Sequence, residues 1–287
     1  MLSTREIKQR IKGITNIQQI TRAMEMVAAN RLKKAEARVL AARPYHEKIG
    51  QLLNFLAANA MGKTHYLLKE RDVKTIRILV ITSDKGLCGA YNTNILQHVL
   101  RFLKENSHKE IRPIIMGKKG FLFFQKRRHQ IEKYFPEAVE RLGTAHITEL
   151  TRQLITDFEQ GAYQELHLFF TKFATVMKCI PTGIKLLPIE PKETPEKGAY
   201  RVDYIFEPYA EEIFSRLFPK YLESCIRQAL WESLASEYAA RRVAMIAASE
   251  NAEEIINDLT RSYNKARQEV ITKELLEVVS GAEALLR

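Results

Sequence analysis

Apolar side chains recur every three or four residues at both ends of the chain, over 4–57 and 210–286, and lose that spacing in the middle. At the N-terminal end the stripe runs Ile7, Ile11, Ile14, Ile17, Ile20, Met24, Ala28, Leu32, Ala35 and Val39. Arg5, Lys8, Arg10, Lys12, Arg22, Lys33, Lys34 and Arg38 lie off it. Steps of three and four average close to one helical turn, so the pattern predicts an amphipathic helix. Ser3 followed by Glu6 predicts its start as a capping box, in which the hydroxyl and the carboxylate each accept from an orphan backbone N–H. Neither glycine nor proline falls between Gly13 and Pro44, so the first bend is expected at the Arg43–Pro44 step.

The C-terminal stripe runs Leu222, Ile226, Leu230 and Leu234, then Met245, Ala248, Ala252, Ile255, Leu259, Tyr263, Ala266 and Val270, with Leu275 and Val278 beyond. No glycine or proline interrupts Lys220 to Ser280, and at 1.5 Å per residue that stretch would span roughly 90 Å as a helix. Propensity alone leaves an isolated helix marginal in water, so each arm is expected to find a partner along its length. Residues 1–60 hold 11 Lys and Arg against 4 Asp and Glu, net +7, while 210–287 hold 10 against 13, net −3. Opposite charge favours pairing the two arms with each other. Small residues at Ala28, Ala29, Ala35, Ala37, Ala239, Ala240, Ala244, Ala247 and Ala248 fit the close approach of an antiparallel pair.

Between the arms the period becomes strand-like. Thr75–Thr82 reads as a buried strand, Asn92–Leu103 as a helix, Arg112–Met116 as a strand and Phe121–Arg128 as a helix. Ile147–Gln160 reads as a further helix, Glu165–Phe173 as a strand, and Ile180–Ile189 as an antiparallel edge strand, with Pro188, Pro191 and Pro195 marking the loop that leaves it. Alternating strands and helices predict a largely parallel sheet. The expected fold is therefore α/β plus a long coiled coil: an antiparallel pair of terminal helices (1–60 and 209–287) and a central Rossmann-like α/β domain (61–208).

Composition narrows the function. No apolar run approaches the roughly 18 to 20 residues of a membrane span, and the first ten residues lack the apolar stretch of a secretory signal. Three widely spaced cysteines, Cys88, Cys179 and Cys225, predict a reducing compartment rather than a disulfide framework. A net charge of +11 admits a nucleic-acid binder, or a basic shaft beside an acidic protein or anionic membrane. The Ser83–Gly89 turn follows the first strand and opens a helix, where doubly wound sheets hold phosphates. Its Gly86 and Gly89 complete neither G-x-G-x-x-G nor G-x-x-x-x-G-K-[ST], so a tight packing turn is expected, as at Gly117–Gly120. The seven histidines never pair at i+3 or i+4, Cys88 has no CxxC partner, and Glu253 and Glu254 diverge around a helix. No catalytic, cofactor or metal site is spelled out.

Three segments carry a resemblance. Ile20–Ala29 (ITRAMEMVAA), Thr82–Gly89 (TSDKGLCG), and the C-terminal set Ser236–Glu237, Ala239–Met245, Tyr263–Gln268 and Ile271–Thr272 through to Val279–Ala282 resemble the γ subunit of bacterial F-type ATP synthases, in order and over essentially the whole chain. The resemblance implies a coiled coil standing inside a ring of alternating α and β subunits, with the α/β domain below it meeting the ε subunit and the ring of membrane c subunits. It implies one copy per complex, no chemistry or cofactor of its own, and no nucleic acid. The chain would be peripheral, on the cytoplasmic side of the bacterial inner membrane, and its rotation would couple proton flow to cycling of the β sites. By the same resemblance Met24, Arg267, Gln268, Thr272 and Glu274 contact β subunits, Arg267 and Gln268 engaging a loop of the empty one. Pro188–Pro208 is short and lacks cysteine, unlike the regulatory insert of plastid relatives, so no thiol switch is expected. The competing readings are a nucleotide-using α/β enzyme and a basic coiled-coil nucleic-acid binder.

Overall fold

The structure, a computed structural model, describes residues 3–59, 67–69, 71–137, 139–190 and 210–285. Its elements are α1 (Thr4–Asn59), β1 (Thr75–Ile81), α2 (Tyr91–Glu105), β2 (Glu110–Met116), α3 (Lys118–Lys126), β3 (Lys133–Phe135), a 3-10 turn (Val139–Arg141), α4 (Thr144–Glu159), β4 (Glu165–Thr175), β5 (Lys178–Leu187) and α5 (Ala210–Leu285). The expected borders at 60/61 and 208/209, and Pro191, Pro195 and the rest of the stretch up to Pro208, lie outside the described residues. The chain divides into two compact units, 1–29 with 241–287, and 30–240.

In the first unit the starts of α1 and the far part of α5 pair antiparallel. Gln18 and Arg22 both reach Glu253, at 3.2 and 3.1 Å, whereas Glu25, further along α1, meets Arg242, further back along α5. The helix start is the expected capping box: the Ser3 N–H donates to Glu6 Oε2 at 2.9 Å and the Glu6 N–H to Ser3 Oγ at 3.3 Å. The bond from the Ser3 backbone N–H, helped by the Ser3 side chain, holds the Glu6 carboxyl below its ordinary range. The buried and half-buried line on α1 runs Ile7, Ile11, Ile14, Gln18, Thr21, Glu25 and Ala28, and on α5 Met245, Ser249, Ala252, Ile256, Leu259, Tyr263 and Ala266. Steps alternating between three and four over these lines are the 3.5-residue repeat of a coiled-coil seam.

That line corrects the stripe expected from apolar positions. Ile17 and Ile20 are 55% and 58% exposed, and Gln18 and Thr21 take their places on the seam. On α5 Ser249 is buried in preference to Ala248 and Ile256 in preference to Ile255, while Val270, Leu275 and Val278 are exposed. The repeat that keeps a seam facing its partner is 3.5 residues, and it outranks the polarity of any one position.

In the second unit the sheet has the order β3-β2-β1-β4-β5, parallel except for the antiparallel edge strand β5. β1 lies at its centre and is buried throughout, so it reads as a continuous apolar run. Ile76, Ile78 and Val80 face a core closed by α2 and α3, while Leu79 and Ile81 face a larger core closed by α4 and by α1 and α5. Here too α1 and α5 run antiparallel: Arg31 sits over the Tyr238 ring at 5.8 Å, and His46 stacks on Tyr221 at 6.3 Å. α1 continues through Pro44 to Asn59. Leu40 and Pro44 lie on its exposed side, where water can take the carbonyl that proline leaves without a donor. Sequence patterning missed β3 and the 3-10 turn, each of only three residues.

Candidate functional site

Two regions could carry function: the outer surface of the helix pair and the turn after β1. On the helix pair the seam uses up one side of each helix and leaves other apolar residues without a partner. Ile17, Ile20, Met26 and Val27 on α1 are exposed, as are Ile255, Val270, Ile271, Leu275 and Leu276 on α5. So much unpartnered apolar surface on one element pair marks a place where other protein packs. The signal in the sequence is that ITRAMEMVAA has more apolar residues than one seam can hold. The exposed ion pair Arg22–Glu253, both side chains more than half in water, contributes little to stability. The apolar seam holds the pair together.

The five expected contact residues fall into two groups. Met24 is half-buried beside the seam, one turn from Ala28. Every residue from Arg267 to Gly281 is exposed, beyond the last seam position at Ala266, so Arg267, Gln268, Thr272 and Glu274 stand on a part of α5 that buries nothing against this chain. Arg267 and Glu274, seven apart, share one face, and Gln268 and Thr272, four apart, share another. Arg267 lies roughly 20 Å along the helix from Glu253, the partner of Arg22.

The turn after β1 is filled by its own side chains. The Asp84 carboxylate accepts the Lys118 N–H at the start of α3 at 3.0 Å through one oxygen and the Val139 N–H at 2.9 Å through the other. Thr82 Oγ1 accepts the Gly120 N–H at 2.9 Å, and the Lys119 N–H donates to the Ser83 carbonyl at 3.0 Å. Asn92 returns from α2, donating to Ser83 Oγ at 2.7 Å and accepting the Ser83 N–H at 3.0 Å. The N–H groups at the start of α3 that an anion could take are thus used by a carboxylate and a hydroxyl of the chain itself. Leu87 and Gly89 both have positive φ, 60° and 53°. The leucine, 62% exposed, is presented outward while Cys88 turns in beside Asn92 Nδ2, 3.3 Å from its sulfur.

The remaining buried polar groups are accounted for as structure. Arg77, on β1, pairs with Glu132 and with Asp157 (2.7 Å) and covers the Tyr163 ring at 4.4 Å. Burial drives the Tyr163 phenol far above its usual range. Burial likewise raises Tyr238 to about 12, partly offset by its bond with Arg31, whose guanidinium also holds Glu140 at 2.8 Å. Burial lowers His46, which bonds Ser224 through Nδ1 at 3.3 Å. Cys88, Cys179 and Cys225 are not joined by disulfides. Among the described residues no group of three or more His, Cys, Asp or Glu could hold a metal ion, and no helix is long and apolar enough to cross a membrane.

Comparison with known proteins adds to this geometry. A family model described as ATP synthase matches residues 3–285. The chain is 41% identical over 285 residues to an ATP synthase gamma chain of Desulforamulus reducens, covering 99% of this chain and 100% of that one. It is 40% identical over 287 residues to the gamma chain of Trichlorobacter lovleyi, covering 99% of each. Among solved structures it is similar to a chain of the central stalk and c-ring of the Tetrahymena thermophila mitochondrial ATP synthase, with a TM-score of 0.59 and 25% identity over 80% of this chain and 99% of that one. A chain of the Euglena gracilis mitochondrial ATP synthase in rotational state 3 shares the fold, with a TM-score of 0.69 and 16% identity over 98% and 94% of the two chains.

Proposed function

This chain belongs to the ATP synthase gamma chain family, and from that premise we propose that its paired terminal helices turn inside a ring of catalytic β and non-catalytic α subunits. As a gamma chain it is a non-catalytic subunit, the rotor shaft of the central stalk. The observation that carries the reading is the match over 3–285, joined to a helix pair whose seam leaves apolar residues exposed and whose α5 continues exposed beyond it. A shaft of this kind acts by differential contact. Side chains that favour one β conformation over another shift that site's affinity for nucleotide without touching the nucleotide.

The finer assignments follow from this reading. One copy per complex serves each β site in turn, the α/β domain meets the ε subunit and the c-subunit ring, and the complex couples proton flow at the cytoplasmic face of a bacterial inner membrane. Met24 on α1, and Arg267, Gln268, Thr272 and Glu274 on α5, are the β contacts. Arg267 offers a planar fork of donors suited to a carboxylate, and Gln268 can donate and accept at once. Both are exposed in the free chain, so their removal acts on the partner. Arg267→Ala with Gln268→Ala is expected to lower ATP synthesis and hydrolysis severalfold, or to impair assembly, while the circular dichroism of the isolated chain stays helical. Normal turnover in assembled complexes of the double variant would remove these residues from the interface.

A further inference from the structure

The α2–α3 side of the sheet carries charge that the shaft does not use. From Lys85 to Ile131 the chain holds ten Lys and Arg against Glu105 and Glu110, net +8, whereas α4 on the opposite side holds three carboxylates against Arg152, net −2. Glu110 is itself taken by Arg112 at 2.9 Å. In a parallel sheet each connecting helix runs back along its strand, so α2 and α3 both end at the edge where β2 and β3 begin. Arg101, Lys104, Lys126, Arg127 and Arg128 gather at that edge, and all five are exposed. Among the described residues none of the five has an ion-pair partner. The negative ends of two helix dipoles offset part of their mutual repulsion.

Five exposed cations spread over two helix ends point to an extended anionic partner rather than a small one. Its aromatic rings are closed to a nucleobase: Phe121, Phe123 and Phe124 pack into the core beneath, and Arg127 covers the Phe123 ring at 3.9 Å. A single-stranded nucleic acid would need such rings open for stacking. Beside the cations stands Leu122, 44% exposed on the outer side of α3, an apolar contact of the kind that basic membrane-surface helices present.

We infer that this edge of the α/β domain docks on anionic phospholipid headgroups. The choice of a lipid surface over other polyanions rests also on the reading above, which places the chain in a membrane-associated complex. Docking needs no pocket geometry, because Lys and Arg near an anionic leaflet add their attraction one by one and lose it within a Debye length.

The test is co-sedimentation of the full chain with vesicles of phosphatidylglycerol and phosphatidylcholine, against phosphatidylcholine alone. Binding is expected only to the anionic vesicles, falling as salt rises. Lys126→Glu, Arg127→Glu and Arg128→Glu together should weaken it at least about tenfold. Lys8→Glu, Arg10→Glu and Lys12→Glu, three reversals on α1 with the same change in net charge, should leave it unchanged. Arg101→Gln with Lys104→Gln gives a milder variant should the triple reversal fail to fold, and it too should lose affinity. Equal loss in the α1 variant, absence of binding, or duplex DNA bound as tightly through the same residues would overturn the inference. Assembly of the chain with α and β subunits tests the shaft separately, since failure there would leave vesicle binding standing.

Discussion

Gly117 approaches Thr82 more closely than any side chain permits. A Cβ there would lie 2.1 Å from the Thr82 carbonyl oxygen, and φ is +99°, in the region that favours glycine. The contact is the seat of the turn network, since Thr82 also donates to the Met116 carbonyl and accepts from Gly120. Gly117→Ala is therefore expected to destabilise the chain by about 3 kcal/mol, from backbone strain and a clash with backbone that cannot move aside. Gly13 provides the contrast. Nothing lies within 4 Å of a Cβ there, and inside α1, clear of its capped start, Gly13→Ala should stabilise by about 0.5 to 1 kcal/mol. Urea midpoints of the two variants check both signs, and a neutral Gly117→Ala would show that the turn has slack.

For the helices, the position of the seam decides what each apolar residue does. Leu32 is buried in the second unit's core, while Ile17 and Ile20 face outward in the first. Leu32→Ala is expected to cost about 2 to 5 kcal/mol in the isolated chain. Ile17→Ser with Ile20→Ser should stay within about 0.5 kcal/mol there, because the helix propensities are close and no packed neighbour is lost. The same pair of changes should lower the yield of complexes reconstituted with α and β subunits, where those side chains are expected to be covered. If the double serine variant melts as early as Leu32→Ala, the seam runs through Ile17 and the assignment of an outer apolar surface fails.

As a whole the protein is expected to act only through its partners. The parallel sheet and its helix-opening turns resemble a nucleotide fold, but Asp84 occupies the N–H groups of Lys118 and Val139, and Thr82 that of Gly120. A triphosphate arriving at the start of α3 would have to displace a carboxylate from donors it already satisfies, and the turn that opens α2 lacks a complete phosphate-binding glycine pattern. Calorimetry of the full chain with ATP and with NAD should give no saturable heat, and micromolar affinity for either would reinstate a nucleotide site in the α/β domain.

Local physics was readable along the chain. Polarity of period near 3.6 gave both long helices, Ser3 and Glu6 gave the capped start, and the runs Thr75–Thr82 and Glu165–Phe173 gave two strands of a mostly parallel sheet, seen as Thr75–Ile81 and Glu165–Thr175. The motifs at Ile20–Ala29, Thr82–Gly89 and Tyr263–Gln268 gave the family. Other features depended on contacts between residues far apart in sequence, which no local window contains. Which of two adjacent residues, Ile17 or Gln18, joins the seam follows from winding against a partner some 235 residues away. Three-residue β3 exists because β2 is beside it. Asp84 becomes a clamp only when α3 and the 3-10 turn, 34 and 55 residues on, are brought to its two oxygens. The sheet's order likewise gathers at one edge the charges of two helix ends that stand some twenty residues apart in sequence.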